Sequence, residues 1–301
     1  MKVVVSGSSG MIGSALVPLL ETSGYEVVRL VRSKSGLGRG RIFWDPDSGK
    51  VDDSRLEGTG AVVHLAGANI AGARWTEKRK RKIRESRVLG TRVLCEALAR
   101  LKDPPTVLVS ASATGYYGNR GDEVLSEQSA PGSGFLSDVC VEWEAATQSA
   151  RSRGIRVVHL RIGIVLSLGG GALAKMLLPF RLGLGGAVGD GRQYWSWIAL
   201  DDLLHVILHC ITEENLDGPV NCTAPFPVTN REFTKTLGRV LSRPTFCPLP
   251  AFVLRIMLGE MADALLLSST RVEPRRLIET GYSFLFPDLE GALRHTVSHT
   301  G

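Results

Sequence analysis

The chain has 301 residues, 44% of them hydrophobic, and a formal net charge of +6. That is enough apolar chain for one sizeable domain or two fused lobes, and a basic excess of this size suits an anionic small molecule as well as a nucleic acid. The five cysteines, Cys95, Cys140, Cys210, Cys222 and Cys247, form no C-x-x-C pair and have apolar neighbours. They read as buried thiols of a reducing compartment, with no zinc site. The opening residues run straight into a strand pattern rather than a secretory leader. The most apolar late stretch, Ala251–Leu267, is broken by Arg255, Glu260 and Asp263. A membrane span needs about 20 nearly uncharged residues, so none is expected and the expected location is cytoplasmic.

In chain order, Lys2–Val5 reads as a buried parallel strand. A turn with Gly7, Gly10 and Gly13 follows, then an amphipathic run carrying Met11, Ile12, Leu16, Leu19 and Leu20. Strand, glycine turn and helix form the layout that binds a dinucleotide pyrophosphate, because glycines let backbone approach phosphate and the helix N-terminus offers free N–H groups. Gly7, Ser9, Gly10, Met11, Ile12 and Gly13 are the expected pyrophosphate contacts.

Further strands are expected at Tyr25–Val31, Arg41–Trp44, Ala61–Leu65, Thr106–Ser110 and Arg156–Arg161, with a short late one at Val220–Cys222. Long helices are expected at Glu77–Arg100 and Leu136–Arg153. Repeated strand–helix units imply an α/β fold, a Rossmann-like doubly wound parallel sheet, with ligands at the C-terminal strand ends. After Arg161 the pattern changes: Gly169–Gly171 and Gly183–Gly191 flank the apolar segment Ala172–Leu184, and the tail from Phe226 is mostly helical. The expected division is a dinucleotide-binding domain over residues 1–165, completed by a late strand near 219–223, and a smaller C-terminal substrate lobe over 166–301.

The tip of the second strand bears on cofactor choice. An NAD site usually places an acid there to accept from the ribose hydroxyls. This chain has Arg32, Ser33 and Lys34, with Arg39 further on and no acid between Glu26 and Asp45. Those cations suit a 2′-phosphate, so NADP is the expected cofactor. Asp45 reads either as an acceptor for the adenine amino group or as an ordinary turn residue. The small residues of His64-Leu65-Ala66-Gly67 let backbone pass close to the cofactor ribose, so Leu65, Ala66 and Gly67 are expected contacts and His64 a packed core histidine. Ser110 and Arg161, at neighbouring strand ends, are further expected cofactor contacts, and Arg161 and Asn69 are pocket candidates. Lys78, Arg79, Lys80, Arg81, Lys82, Arg84 and Arg87 crowd one helix without interleaved aromatics, which reads as a solvated face partly reaching the cleft rather than a nucleic-acid surface.

Three motifs, GSSGMIG, HLAG and SASATGYYG, resemble the extended short-chain dehydrogenases/reductases, which include nucleotide-sugar epimerases and dehydratases. RWTEKRKRKIRESRVLGTR, GGGALAKMLLPFRLGLGG, WSWIALDDL and GYSFLFPDLEGAL narrow the resemblance to an epimerase-like family with a C-terminal domain of unknown function. The resemblance implies NADP(H) binding and names no substrate. In the superfamily a Ser orients the substrate oxygen, a Tyr moves the proton and a Lys one helical turn later lowers the phenol pKa. Ser112 fits the Ser position. No Tyr-x-x-x-Lys occurs in the chain; aligned on Glu144, the two positions hold Leu136 and Cys140. Arg87 stands where relatives often have Asn, and Tyr194, Trp195 and Trp197 stand where a diphosphate-gripping Arg is common, with Arg192 a little earlier, so a nucleotide-sugar substrate is not expected. Tyr116 and Tyr117 are the candidates to replace the missing acid, if a cation lowers a phenol pKa. Trp75, Trp195 and Trp197 could wall a pocket or be core. Two functions therefore stand: an NADP(H)-dependent oxidoreductase or epimerase-like enzyme, and a catalytically reduced NADP(H)-binding sensor or partner-binding module. Expected partners are a small-molecule substrate and, in a homodimer, a second copy, with no nucleic acid and no membrane.

Overall fold

The computed structural model describes residues 1–34, 38 and 40–298. In chain order the elements are β1 (Lys2–Ser6), α1 (Met11–Thr22), β2 (Glu26–Val31), β3 (Arg41–Asp45), β4 (Lys50–Val51), β5 (Ala61–His64), α2 (Glu77–Arg100), β6 (Val107–Ala113), β7 (Val124–Leu125), α3 (Phe135–Ala145), α4 (Gln148–Ser152), β8 (Arg156–Ile162) and β9 (Ile164–Leu166). Then come α5 (Gly171–Arg181), β10 (Tyr194–Trp195), β11 (Trp197–Ala199), α6 (Leu200–Thr212), β12 (Gly218–Cys222), β13 (Val228–Thr229), α7 (Asn230–Val240), α8 (Ala251–Leu258), α9 (Glu260–Ala262), β14 (Arg271–Val272), α10 (Arg275–Glu279) and α11 (Leu289–Ser298).

The main sheet has strand order β12-β8-β6-β5-β1-β2-β3-β4, parallel throughout except for the β3–β4 pair. This is the doubly wound Rossmann-like α/β fold. Its strand order reverses between β1 and β5, and that switch point opens the ligand crevice at the C-terminal strand ends. Alternation along the strands explains how both faces are covered. Val3 and Val5 pack with α1 and α6 side chains such as Leu16, Leu20 and Ile207, while Val4 packs with Leu94 and Leu98 of α2 and with Trp44. A further core joins Leu173, Leu177 and Phe180 of α5 to Trp195, Trp197, Phe233 and Leu293. Trp195 and Trp197 are thus core side chains.

Two expectations need correction. The helix predicted over Leu136–Arg153 breaks into α3 and α4, because Thr147 Oγ1 turns back to the Glu144 carbonyl at 2.7 Å and across to His159 Nε2 at 2.9 Å. Four cysteines are buried, but Cys247 is only half-buried. No described helix is long and apolar enough to cross a membrane, and among the described residues no group of three or more His, Cys, Asp or Glu is placed to hold a metal ion.

Candidate cofactor and substrate cleft

The glycine turn sits at the switch point. Gly7 has φ +69°, and a Cβ there would lie 2.8 Å from the Leu65 backbone carbon. A Cβ on Gly13 would lie 2.7 Å from Ser8 Cα. Only glycine lets the β1 turn touch the end of β5 and the helix start this close. Gly10 caps α1 without a side-chain hydrogen bond, so the first turn of that helix keeps free N–H groups at the crevice. Ser9 and Gly10 are exposed there, and Met11 and Ile12 are half-buried. Gly171 packs on the Met11 sulfur, its Cβ position 3.5 Å away, so the start of α5 overhangs the turn.

At the tip of β2, Arg32, Ser33 and Lys34 are exposed. Lys34 Nζ lies 5.0 Å over the Phe43 ring. Arg39 lies outside the described residues. Asp45 closes its own turn: its carboxylate accepts from Ser48 Oγ at 2.6 Å and from the Asp47 amide at 3.2 Å. The Ser48 hydrogen bond holds the Asp45 carboxyl below the usual range, and the Arg32 charge works in the same direction.

Two polar rows cross the α2–α3 face of the sheet. Ser6, His64, Ser110 and His159 are register partners in turn. His64 Nδ1 meets Ser6 Oγ at 2.7 Å and its Nε2 meets Thr91 Oγ1 at 3.1 Å. Ser6 Oγ also accepts from the amides of Leu65 and Ala66, at 3.1 and 3.3 Å, which fixes the strand-end backbone. Burial pushes His64 and His159 down to about 4. His64 is therefore a neutral core group. Ser110 Oγ is buried without a hydrogen-bond partner among the described residues.

The second row is Ser112, Arg161 and Asn221. Ser112 Oγ donates to Glu144 Oε1 at 2.7 Å. Arg161 grips the same carboxylate with two bonds of 2.9 Å. Its Nη1 donates to Tyr117 Oη at 2.9 Å and to the Glu127 carbonyl at 3.2 Å. Tyr117 Oη in turn donates to Asn221 Oδ1 at 2.6 Å.

This network revises two of the expected roles. Arg161, expected as a cofactor contact, is buried and directs four of its five N–H groups at Glu144, Tyr117 and the Glu127 carbonyl. Tyr117 has the neighbouring cation that an acid would need, yet burial outweighs it and pushes the phenol up to about 12. Its hydroxyl is enclosed and fully used. Tyr116 differs: it is half-buried, its ring lies 3.5 Å from Arg161 Cζ, and its hydroxyl has no hydrogen bond among the described residues. Cys140 lies behind Ser112, and burial pushes its thiol up to about 12. Asn69 closes a turn, its Oδ1 accepting from the Ala71 amide at 2.9 Å. Trp75 packs edge-on against Phe135 with its indole N–H on the Ile70 carbonyl at 2.8 Å.

Arg87 is a cleft residue that the sequence marked as a departure and as one of many cations on a helix partly reaching the cleft. Its Cζ would be 3.2 Å from a Cβ on Gly67, and it stacks 5.1 Å from the Trp143 ring. Nη1 donates to the Ala68 and Ile83 carbonyls at 3.0 and 3.2 Å. No carboxylate pairs with it among the described residues. Burial pulls its pKa below the ordinary range, and the Arg79 charge pulls in the same direction. A desolvated cation without a counter-ion beside a glycine at a strand end invites an anionic or oxygen-rich ligand. The uncapped α1 start, the glycine cradle, the orphaned Ser110 hydroxyl and Arg87 together fit a bound dinucleotide. Glu144, Asn221 and Glu127 were also missed as site-shaping groups. The readable signal was Glu144, one helical turn from Cys140 on the face that meets the ends of β6 and β8.

Comparison with known proteins identifies the family. The profile of the NAD dependent epimerase/dehydratase family matches residues 3–222, and that of a domain of unknown function, DUF1731, matches residues 249–296. An epimerase family protein of Mycobacterium tuberculosis is 43% identical over 299 residues, covering 99% of this chain and 98% of the relative. The crystal structure of the human epimerase family protein SDR39U1 (isoform 2) with NADPH superposes with a TM-score of 0.89 at 38% identity, covering 99% of both chains. A nucleoside-diphosphate sugar epimerase from Corynebacterium glutamicum superposes with a TM-score of 0.83 at 36% identity, covering 99% of this chain and 58% of that one. The chain belongs to the NAD dependent epimerase/dehydratase family.

Proposed function

We propose that this protein is an NADP(H)-dependent oxidoreductase or epimerase-like enzyme. The observation that carries the cofactor choice is the Arg32-Ser33-Lys34 tip of β2, exposed and without an acid, in a chain whose human relative was crystallised with NADPH. In this reading Arg32 and Lys34 hold the 2′-phosphate and Ser33 adds a hydroxyl. The glycine turn and the first turn of α1 hold the pyrophosphate. Arg87 and the Leu65–Gly67 backbone flank the ribose on the nicotinamide side. Asp45, if it serves the adenine, does so with an acceptor already shared with Ser48.

When bound, the nicotinamide supplies or takes a hydride. The chain's own residues handle position and protons. The Ser112 proton is committed to Glu144, so the lone pairs of Ser112 remain to accept from a substrate hydroxyl. Tyr116 is the candidate proton carrier, standing over the Arg161 guanidinium. Tyr117 serves the scaffold. The second reading, an NADP(H)-binding sensor or partner-binding module, draws support from the buried Tyr117 hydroxyl and from Leu136 and Cys140 at the usual acid–base positions. Residues 1–165 with β12 form the cofactor domain in this proposal, and 166–301 the substrate lobe.

Titrating the protein with NADPH and with NADH tests the cofactor choice. NADPH should bind at least about tenfold more tightly; equal affinities overturn it. Presenting the NADPH complex with a panel of carbonyl compounds then separates the two readings. Loss of NADPH absorbance supports the enzyme, and none across the panel supports the sensor.

A further inference from the structure

The helices α5 and α8 are linked through the segments that flank them at one end and through the 71–74 loop at the other. Beyond the end of α5 and before the start of α8 the chain pairs with itself, Cys247 N donating to Gly185 O at 3.2 Å and Leu249 N to Ala187 O at 2.8 Å. At the opposite ends, Lys175 in the first turns of α5 donates to the Ala71 carbonyl at 2.8 Å, and Gly259, which ends α8, lies against Arg74, its Cβ position 3.3 Å from Nε. The two helices therefore border one surface that runs from the 71–74 loop, beside the cofactor crevice, out to the 185–187 pairing.

That surface is apolar where a soluble lobe would ordinarily be polar. Leu178 on α5 and Leu182, which caps its end, follow Lys175 at helical spacing, and both are 66% exposed. Phe252 and Ile256, one turn apart on α8, are 64% and 71% exposed. Large apolar side chains on two helices whose ends are linked by these contacts mark a binding surface rather than scattered surface residues.

The inner end carries the opposite character. Arg74, Arg79 and Lys175 have no ion pair among the described residues. The nearby carboxylates are taken, Glu260 by Lys80 and Asp263 by Arg255, each at 2.9 Å. Arg79 and Lys175 rest on the carbonyls of Asn69 and Ala71, and Arg79 Nε is buried with no partner. Carbonyls are weaker partners for these cations than an anion would be.

We propose that the substrate is an amphipathic anion. Its carboxylate or phosphate head lies among Arg74, Arg79 and Lys175, and its apolar chain or ring system runs along Leu178, Leu182, Phe252 and Ile256. The charge complementarity at one end and the apolar stripe leading away from it commit the surface to one ligand with both features. The proposal rests on the cofactor reading only for what is done to that ligand, not for its binding.

The test is calorimetric titration of the full chain, with and without saturating NADPH, using three probes below their micelle concentrations: dodecyl phosphate, dodecyltrimethylammonium and inorganic phosphate. Dodecyl phosphate should bind one to one, at least about tenfold more tightly than either of the others. Lys175→Ala should weaken it about tenfold, and so, separately, should Ile256→Asp, which keeps the cations intact. Equal binding of the two dodecyl probes would make the surface merely sticky and overturn the proposal. So would binding of phosphate alone at the same strength, absence of binding, or light scattering showing that the apolar stripe is covered by a second copy. NADPH binding, followed in parallel by its fluorescence, keeps the two readings apart. If it fails while dodecyl phosphate still binds, the cofactor reading falls and the ligand class stands.

Discussion

Ser112 gives its hydroxyl proton to Glu144 at 2.7 Å, while Arg161 holds the same carboxylate with two bonds of 2.9 Å. The carboxylate is thus fixed chiefly by Arg161, and Ser112 depends on it rather than supporting it. Glu144→Ala would leave a buried guanidinium without its partner, a loss of about 3–5 kcal/mol of stability. Ser112→Ala removes one hydrogen bond to a carboxylate that remains paired, a loss of about 1 kcal/mol. Urea denaturation midpoints check this, and equal losses for the two variants would refute the hierarchy.

Arg32 stands exposed at the end of β2, and Asp45 across the β2–β3 edge feels its charge. Arg32→Glu puts two carboxylates there and removes a cation that a 2′-phosphate needs. NADPH affinity should fall by at least about tenfold, and NADH affinity should hold or rise. Parallel titrations of both cofactors decide it, and an equal fall for both would remove Arg32 from the site.

The elements that were legible in the sequence are those whose causes are local. The glycine turn at Gly7–Gly13 announces itself by residue type. The α2 helix begins at Glu77 as expected, because Thr76 caps it, accepting from the Arg79 amide. The break at Thr147 was not legible, because it depends on His159, which arrives from the next strand. Tyr117 and Arg161 likewise sit at strand ends where a ligand is expected. Their side chains are claimed by Glu144, Glu127 and Asn221, partners brought in by the fold from α3, the chain after β7, and β12. The direction in which Arg87 points was hidden for the same reason: a helix of many cations does not say which one lies against Gly67. Short pairings such as β10–β13 and β14–β7, two residues long, carry too little pattern to read.

Arg87 offers a test in which stability and binding move apart. Arg87→Met keeps the apolar stem beside Trp143 and removes a desolvated charge that no carboxylate balances. Its thermal midpoint should hold or rise, since the lost carbonyl contacts are offset by the relief of the buried charge. NADPH affinity should fall about tenfold if the guanidinium serves the cofactor. Differential scanning calorimetry and a cofactor titration on the same sample give both readings. A destabilised variant with unchanged affinity would make Arg87 structural only.

The two buried histidines set an acid limit. His64 and His159 are held neutral by burial, with pKa values pushed down to about 4 from an ordinary 6.5. In the unfolded chain both take up a proton as the pH falls through about 6.5, and in the folded chain they resist it until about 4. Stability from keeping them neutral is therefore full above about pH 6.5, drains away between there and about pH 4, and amounts to about 3 kcal/mol for each histidine over that window. The thermal midpoint should drop steeply across the interval, before most surface carboxylates are protonated. His64→Gln cannot titrate and can still hydrogen-bond to Ser6 or Thr91. It should begin with a lower midpoint at neutral pH and lose stability more gently on acidification, because one of the two contributions is gone. Calorimetry of both proteins at half-unit pH steps measures the slopes, and parallel curves would show that His64 contributes nothing to the acid limit.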